Sequence, residues 1–203
     1  MARPRSEDRR NAILAAAARV VATHGLTAST ASIAQEAGVS NGSLFLYFET
    51  KTVLFNELYI ALKTEMGEAA VAGVPSEGEP RDLVHQLWTR WLGWATTNPD
   101  KRRALAQLEV ADEVTAESQQ LVRQAQAGMA ELLERSRANG PMSDVPLGFV
   151  LTLTSAMADA TMDTMIRDPG QADAHSAVAF DAVWRVLTGV PNTPAPPTDE
   201  GRS

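Results

Sequence analysis

Apolar side chains recur every three or four residues along most of the chain, which is the spacing of amphipathic helices. Glycine and proline divide this pattern into segments, for example at Gly25, Gly38 and Asn98-Pro99. No segment shows the strict alternation that is typical of a strand. We therefore predict an all-α protein of about nine helices, the last five being Asp82 to Thr97, Lys101 to Val110, Ala116 to Ala138, Pro146 to Arg167 and Ala172 to Leu187.

The stretch from Thr30 to Lys51 carries the most specific pattern. A short apolar stripe ends at Gly38, the residue type that most readily closes a helix with left-handed backbone. Ser40 can then cap a second short helix, in which Leu44 and Phe48 lie on one face, four residues apart. Two short helices joined around a glycine form a helix-turn-helix unit, whose second helix can enter the major groove of DNA. This stretch predicts DNA binding.

The residue types of this stretch closely resemble the DNA-binding domain of the tetracycline-repressor (TetR) family, and the resemblance covers roughly residues 7 to 67. It rests on Thr30, Ile33-Ala34, Ala37-Gly38-Val39-Ser40, Gly42, Leu44, Tyr47-Phe48 and Lys51. It implies a three-helix DNA-binding domain at 7–67, with the helix-turn-helix at about 30–49, and a C-terminal regulatory, ligand-binding and dimerisation domain at 68–189. Residues 190–203, rich in proline and polar side chains, predict a disordered tail.

The resemblance also implies which residues contact DNA. Asn41 opens the second helix, and its amide can bond bidentately to adenine, so it is our first candidate for base recognition. Short hydroxyls suit phosphate oxygens beside helix-start amides, and the longer Tyr47 and Lys51 can reach the backbone farther along. The full set is Thr30, Asn41, Gly42, Ser43, Phe45, Leu46, Tyr47 and Lys51.

Two of these residues depart from the family pattern. Phe45 stands where the family most often has tyrosine, so it cannot bond a phosphate but can touch a thymine methyl. Leu46 is apolar at a position that varies in the family. We expect both at or near the DNA surface, with packing inside the domain as the alternative, whereas Leu44 and Phe48 predict core packing. Gly42 would let the helix approach the groove closely.

The N-terminal residues leave two interpretations open. Arg3 and Arg5 flank Pro4 ahead of a helix that we expect to be capped at Ser6. They form either a solvated disordered tail or an arm that contacts phosphates or the minor groove. The net charge of −7 divides into +2 for residues 1–51 and −9 for the remainder, which gives weak support to a basic DNA-binding end on an acidic body.

A fourth helix, capped at Thr50, would connect the DNA-binding unit to the rest of the chain. Its apolar positions keep helical spacing until Gly67 and Gly73. Its polar residues Asn56, Glu57 and Lys63 predict a solvated face.

The C-terminal part contains a segment, Leu83 to Ala95, whose apolar residues cover about half of a helix circumference. Its tryptophans either fill a core or line a cavity for an apolar or aromatic molecule, as the family resemblance favours. Asp159 and Asp163, one turn apart, form a solvated face or favour a cationic ligand. The candidate ligand-binding residues are Trp88, Trp91, Trp94, Met129, Met157 and Met162.

The last two helices have apolar residues on more than one face. In the family, these helices form a four-helix bundle between two subunits, and a two-fold dimer would let two DNA-binding units meet a palindrome. The alternative is an ordinary monomeric core. The candidate interface residues are Leu147, Leu151, Thr154, Ala158, Phe180 and Trp184.

Several classes of function are disfavoured by composition. The chain has no cysteine, and His24, His85 and His175 are too scattered to suggest a metal motif, so we expect neither a metal nor a cofactor. No nucleophile with a positioned base and no phosphate-binding loop is evident, which argues against an enzyme. The longest apolar stretch is too short to span a bilayer, and we expect a cytoplasmic protein.

The sequence therefore predicts a ligand-responsive transcriptional regulator. The resemblance implies a repressor that binds a palindromic operator as a homodimer and is released by a small-molecule effector. The alternative is an all-helical interaction protein without specific DNA binding.

Overall fold

A computed structural model describes residues 3–189, and within that range the chain forms ten α-helices, two single-turn 3-10 helices (Gly25–Thr27 and Pro169–Gln171) and no strand. The all-α prediction is confirmed. None of the helices in this range combines the length and apolarity needed to cross a lipid bilayer. The α-helices are α1 (Arg3–His24), α2 (Thr30–Glu36), α3 (Asn41–Phe45), α4 (Lys51–Val71), α5 (Pro80–Thr97), α6 (Pro99–Glu109), α7 (Ala116–Ala125), α8 (Ala127–Arg137), α9 (Leu147–Arg167) and α10 (Ala172–Thr188).

The predicted count of nine helices is wrong by one because the segment from Ala116 to Ala138 is two helices. Gln126 separates α7 from α8, with φ −99° and ψ 9°. Its amide still closes α7 on the carbonyl of Val122, and its carbonyl accepts the amide of Met129 in the first turn of α8. The apolar spacing continues through this break, so periodicity alone predicts one helix.

The N-terminus also differs from the prediction. Helix α1 begins at Arg3, so the predicted cap at Ser6 and the arm up to residue 5 are wrong. Pro4 lies in the first turn, where its missing N–H costs no helical hydrogen bond. The predicted tail at 190–203 lies outside the described residues.

The first four helices share one buried core. Ile13 and Val21 of α1, Ile33 of α2, Leu44 of α3 and Phe55 of α4 are all fully buried. Helix α1 packs on α2 and α4, and α2 packs on α3. Helices α1 to α3 thus form a three-helix unit that contains the helix-turn-helix, and α4 is the helix that leaves it.

The buried core continues from this unit into the remainder of the chain. Helix α6 packs along α1, while α4 packs along α5 and α7. The cluster of buried side chains runs through Leu58 and Leu62 of α4 to Leu92 of α5 and Leu105 of α6. The predicted domain boundary at residue 67 falls inside α4, which ends at Val71.

The polar residues of α4 are not the solvated face that the sequence predicted. Asn56 is buried, and its Nδ2 donates to the carbonyl oxygens of Thr52 (2.9 Å) and Glu113 (2.7 Å). Its Oδ1 accepts the backbone N–H of Thr115 at 2.9 Å. Asn56 therefore joins α4 to the loop before α7. The other two residues form ion pairs, Glu57 with Arg10 of α1 and Lys63 with Glu109 of α6.

Replacing Asn56 with alanine should lower the free energy of unfolding by about 1 to 3 kcal/mol, because the Glu113 carbonyl and the Thr115 amide lose their partner in a partly buried place. Chemical denaturation monitored by circular dichroism measures the loss. Asn139→Ala, in the exposed loop after α8, is the matched control and should stay close to the parent. Equal stability of the two variants would contradict a linking role for Asn56.

Candidate nucleic-acid interface and regulatory cavity

Serine caps and a glycine fix the geometry of α2 and α3. The hydroxyl oxygen of Ser29 accepts the backbone N–H of Ser32 at 3.0 Å, and that of Ser40 accepts the N–H of Ser43 at 3.1 Å. Between the helices, Gly38 has φ +67°, and no other atom lies within 4 Å of where its Cβ would stand. The glycine is therefore required by its backbone conformation rather than by crowding. Both helices start where the sequence predicted, but α3 ends at Phe45, so that Phe48 follows its last turn, with its backbone N–H still donating to the Leu44 carbonyl at 3.0 Å.

Helix α3 has one buried face and one exposed face. Leu44 and Phe48 are fully buried, which confirms the core packing predicted for them. Asn41 and Gly42 are exposed, as are Phe45 (41% exposed) and Leu46 (84%). Two large apolar side chains in water beside an exposed amide suit contact with base edges and thymine methyl groups.

The three predicted DNA contacts that carry hydroxyl groups lie at the start of α2, within α3 and shortly after α3. Thr30 is the first residue of α2 and is partly buried. Ser43 is partly buried, and its hydroxyl accepts a hydrogen bond from that of Ser40 at 2.9 Å. Tyr47 packs partly against the core. All three lie close in sequence to helix N-termini or to the recognition helix, where phosphate oxygens would approach exposed backbone amides.

Lys51 makes contacts within the protein that the sequence did not predict. Its Nζ donates to the carbonyl oxygen of Leu26 at 2.7 Å and lies 5.0 Å from the ring centroid of Phe55. This ammonium ties the start of α4 to the turn after α1. Since an ammonium has three donors and the side chain is only partly buried, a phosphate can still bind at the same group.

Ion pairs neutralise much of the basic charge counted in this unit. Arg10 pairs with Glu57, and its guanidinium lies 5.3 Å from the ring centroid of Phe48. Arg19 pairs with Glu36 at 2.7 Å. These arginines brace the back of the helix-turn-helix, so the positive balance of residues 1–51 overstates the charge available to DNA.

A cavity of about 430 Å³ lies between α4, α5, α7 and α8. Val71, Leu83, Leu87, Val122 and Leu132 supply apolar wall, while Gly67 and Gln126 lie on facing helices. The volume lies within the usual range for small-molecule sites. Its wall combines residues 63–76 and 83–87 with residues 122–135, which lie much later in the sequence.

Of the predicted ligand-binding residues, Met129 lines this cavity and the other five do not. The ring N–H of each tryptophan has a partner elsewhere: Ser176 for Trp88, Met66 for Trp91 and Glu65 for Trp94. Trp88, Trp94 and Met162 are buried, while Trp91 and Met157 pack partly buried against the core. For the tryptophans, the alternative of core packing fits this structure.

The two acids considered for a cationic ligand face an arginine. Arg102 of α6 lies 3.1 Å from Asp159 and 3.5 Å from Asp163. Burial raises the pKa of Asp159 above its ordinary value, and the Arg102 guanidinium opposes that rise. Arg102 already provides a positive charge beside both acids, so their position gives no support to a cationic ligand.

Helices α9 and α10 pack on each other, and each keeps exposed apolar side chains. Of the predicted interface residues, Ala158 and Phe180 are buried within the subunit and offer no side-chain surface to a partner. Trp184 stacks on Phe180, with ring centroids 6.2 Å apart, and is partly buried. Of the other candidates, Leu151 is exposed and Leu147 and Thr154 are partly buried. Two further apolar residues of these helices, Phe149 (55% exposed) and Val178 (71%), are also exposed.

This architecture is similar to that of known transcription regulators. Residues 13–58 match the family model described as bacterial regulatory proteins, tetR family. A transcription regulator of the TetR family from Marinobacter aquaeolei VT8 superposes with a TM-score of 0.82 at 22% identity, covering 91% of this chain and 98% of that one. A structure from Shewanella sp. PV-4 assigned to the same family has a TM-score of 0.80 at 26% identity, covering 88% and 97%.

One relative by sequence is the nucleoid occlusion factor SlmA of Haemophilus influenzae strain PittGG, which is 30% identical over 77 residues. That match spans 38% of this chain and about a third (35%) of the relative.

The described chain has the fold of all-helical transcription regulators of the TetR family. Its residues 13–58, which contain the helix-turn-helix, form a TetR-family domain.

Proposed function

We propose that this protein is a ligand-responsive repressor that binds a palindromic operator as a homodimer and leaves it when a small molecule enters the cavity. Residues 7–67 would act as the DNA-binding domain and residues 68–189 as the regulatory and dimerisation domain. Thr30, Asn41, Gly42, Ser43, Phe45, Leu46, Tyr47 and Lys51 would contact the operator.

The observation that carries this proposal is the course of α4. The helix starts at the cap Thr50, directly after the recognition helix, and runs unbroken to Val71. Gly67, Glu68 and Val71, near its far end, line the cavity. A change in the shape of the cavity therefore acts on the same rigid element that holds the recognition helix, over a helix of 21 residues.

Two-fold symmetry supplies the operator geometry. Recognition helices of a dimer enter successive major grooves only when they lie about 34 to 36 Å apart, so a displacement of a few ångströms at one end of α4 would release one of them. Helices α9 and α10 keep exposed apolar side chains, among them Phe149 and Val178, and we expect the subunits to pair through these two helices. A ligand shifts this equilibrium only by its differential affinity for the two arrangements.

The test is binding of the full chain to the DNA upstream of its own coding region, measured by fluorescence anisotropy against random DNA of the same length. Tight binding to a protected palindrome, at least about a thousand times stronger than to random DNA, supports the proposal. A reporter gene placed behind that palindrome should be expressed less when the protein is present. Equal affinity for both DNAs would instead favour the interaction protein without specific DNA binding.

A further inference from the structure

We propose that the cavity binds a mostly apolar molecule carrying a hydrogen-bond-accepting oxygen, neutral or anionic, and that the side-chain amide of Gln126 recognises that oxygen. The inference deepens the proposed function, because it names the class of effector for the same site. It rests on a buried donor without a partner, on the wall around it and on its position beside α4.

The amide of Gln126 is the polar group that the cavity leaves unsatisfied. Its Nε2 is buried and has no hydrogen-bond partner among the described residues, although the backbone N–H and carbonyl of Gln126 are both bonded within α7 and α8. Most buried donors in proteins have a partner, because an unmade hydrogen bond is costly. A ligand oxygen at this point would remove that cost.

The rest of the described wall carries balanced charge and favours an apolar ligand. Lys63 is already paired with Glu109, and Glu68 and Arg135, at exposed positions, carry opposite charges. No acidic group therefore dominates the described wall, while valine and leucine side chains form its sides. An apolar body with one acceptor oxygen satisfies both the walls and the donor.

The side chain of Gln126 also lies near α4, the helix that connects the cavity to the recognition helix. A Cβ added at Gly67 of α4 would lie 3.6 Å from Nε2 and 3.9 Å from Cγ of Gln126. These are ordinary van der Waals distances, so the break between α7 and α8 faces α4 across a gap that would hold a methyl group. An oxygen that binds Nε2 would lie next to α4, the helix that leads to the recognition helix.

Three ten-carbon probes test the chemistry by isothermal titration calorimetry with the full-length dimer, below the concentrations at which they form micelles. Sodium decanoate has a charged acceptor, 2-decanone a neutral one, and decyltrimethylammonium a positive charge and no acceptor. Decanoate, 2-decanone or both should bind at least about tenfold more tightly than the ammonium probe, about the worth of one hydrogen bond.

Substitutions then test the residue. Gln126→Leu should weaken the acceptor probes by about tenfold and raise the melting temperature of the unliganded protein, because the unpaired donor is gone. Gln124→Leu, exposed on α7 and outside the wall, is the matched control and should change neither. Equal affinity of all three probes, binding of none, or unchanged affinity in Gln126→Leu would each overturn the inference.

Operator release is measured separately, so that the two proposals fail differently. Acceptor probes that bind through Gln126 but leave the DNA complex intact would support this site and contradict effector release. Release that persists undiminished in Gln126→Leu would support an effector-responsive repressor and overturn the role of Gln126.

Discussion

Val178→Glu should convert the proposed dimer into monomers with unchanged helix content. Val178 is 71% exposed in the single subunit, so glutamate there disturbs no contact of the folded chain. In a two-fold interface the substitution enters twice, and each buried carboxylate without a partner costs several kcal/mol. We expect the dimer dissociation constant to rise by at least a hundredfold, about 3 kcal/mol, and operator affinity to fall with it.

Light scattering and circular dichroism measured on the same sample decide the outcome. Val110→Glu is the matched control, since Val110 is also a highly exposed valine but follows α6 and belongs to neither α9 nor α10. It should leave the mass unchanged. A dimer that survives Val178→Glu with native affinity would place the interface elsewhere. Trp184 is less suitable for this test, because its stacking on Phe180 makes it part of the subunit core.

The DNA-binding unit could be predicted from sequence because its determinants are local. Each cap lies three residues from the amide that it accepts, and Gly38 ends α2 within the same short stretch. The burial of Leu44 and Phe48 follows from their spacing alone. The ion pair of Arg10 with Glu57 could not be predicted this way, because 47 residues separate its members and neither has a distinctive neighbourhood in sequence.

The sequence did not predict the position of the cavity. The sequence analysis proposed large aromatic side chains such as Trp88 as cavity residues. In the structure Trp88 is buried in the core, and its ring N–H donates to Ser176. The cavity arises where side chains are small or where a helix breaks, at Gly67 and Gln126. Small side chains leave no periodic pattern in the sequence. Gly128 is the one residue near Gln126 whose type is typical of a helix break.

The recognition helix gives the second large effect. Asn41→Ala should relax the preference at one operator position and weaken operator binding by about 1 to 3 kcal/mol, because a bidentate amide to adenine contact would be lost. Asn41 is exposed at the first turn of α3, and the cap at Ser40 is formed by a different side chain, so the helix itself should persist. Anisotropy titrations against operators altered one base pair at a time measure the preference.

Lys51→Ala should act differently, weakening operator and random DNA alike and reducing the salt dependence of binding by about one counterion. Because Lys51 also bonds the Leu26 carbonyl, its stability must be measured beside its affinity. Lys101→Ala removes an equal charge from the body, where Lys101 pairs with Glu65, and should leave the salt dependence unchanged. If Asn41→Ala lost equal affinity for operator and random DNA, Asn41 would be a backbone contact and base recognition would pass to Phe45 and Leu46.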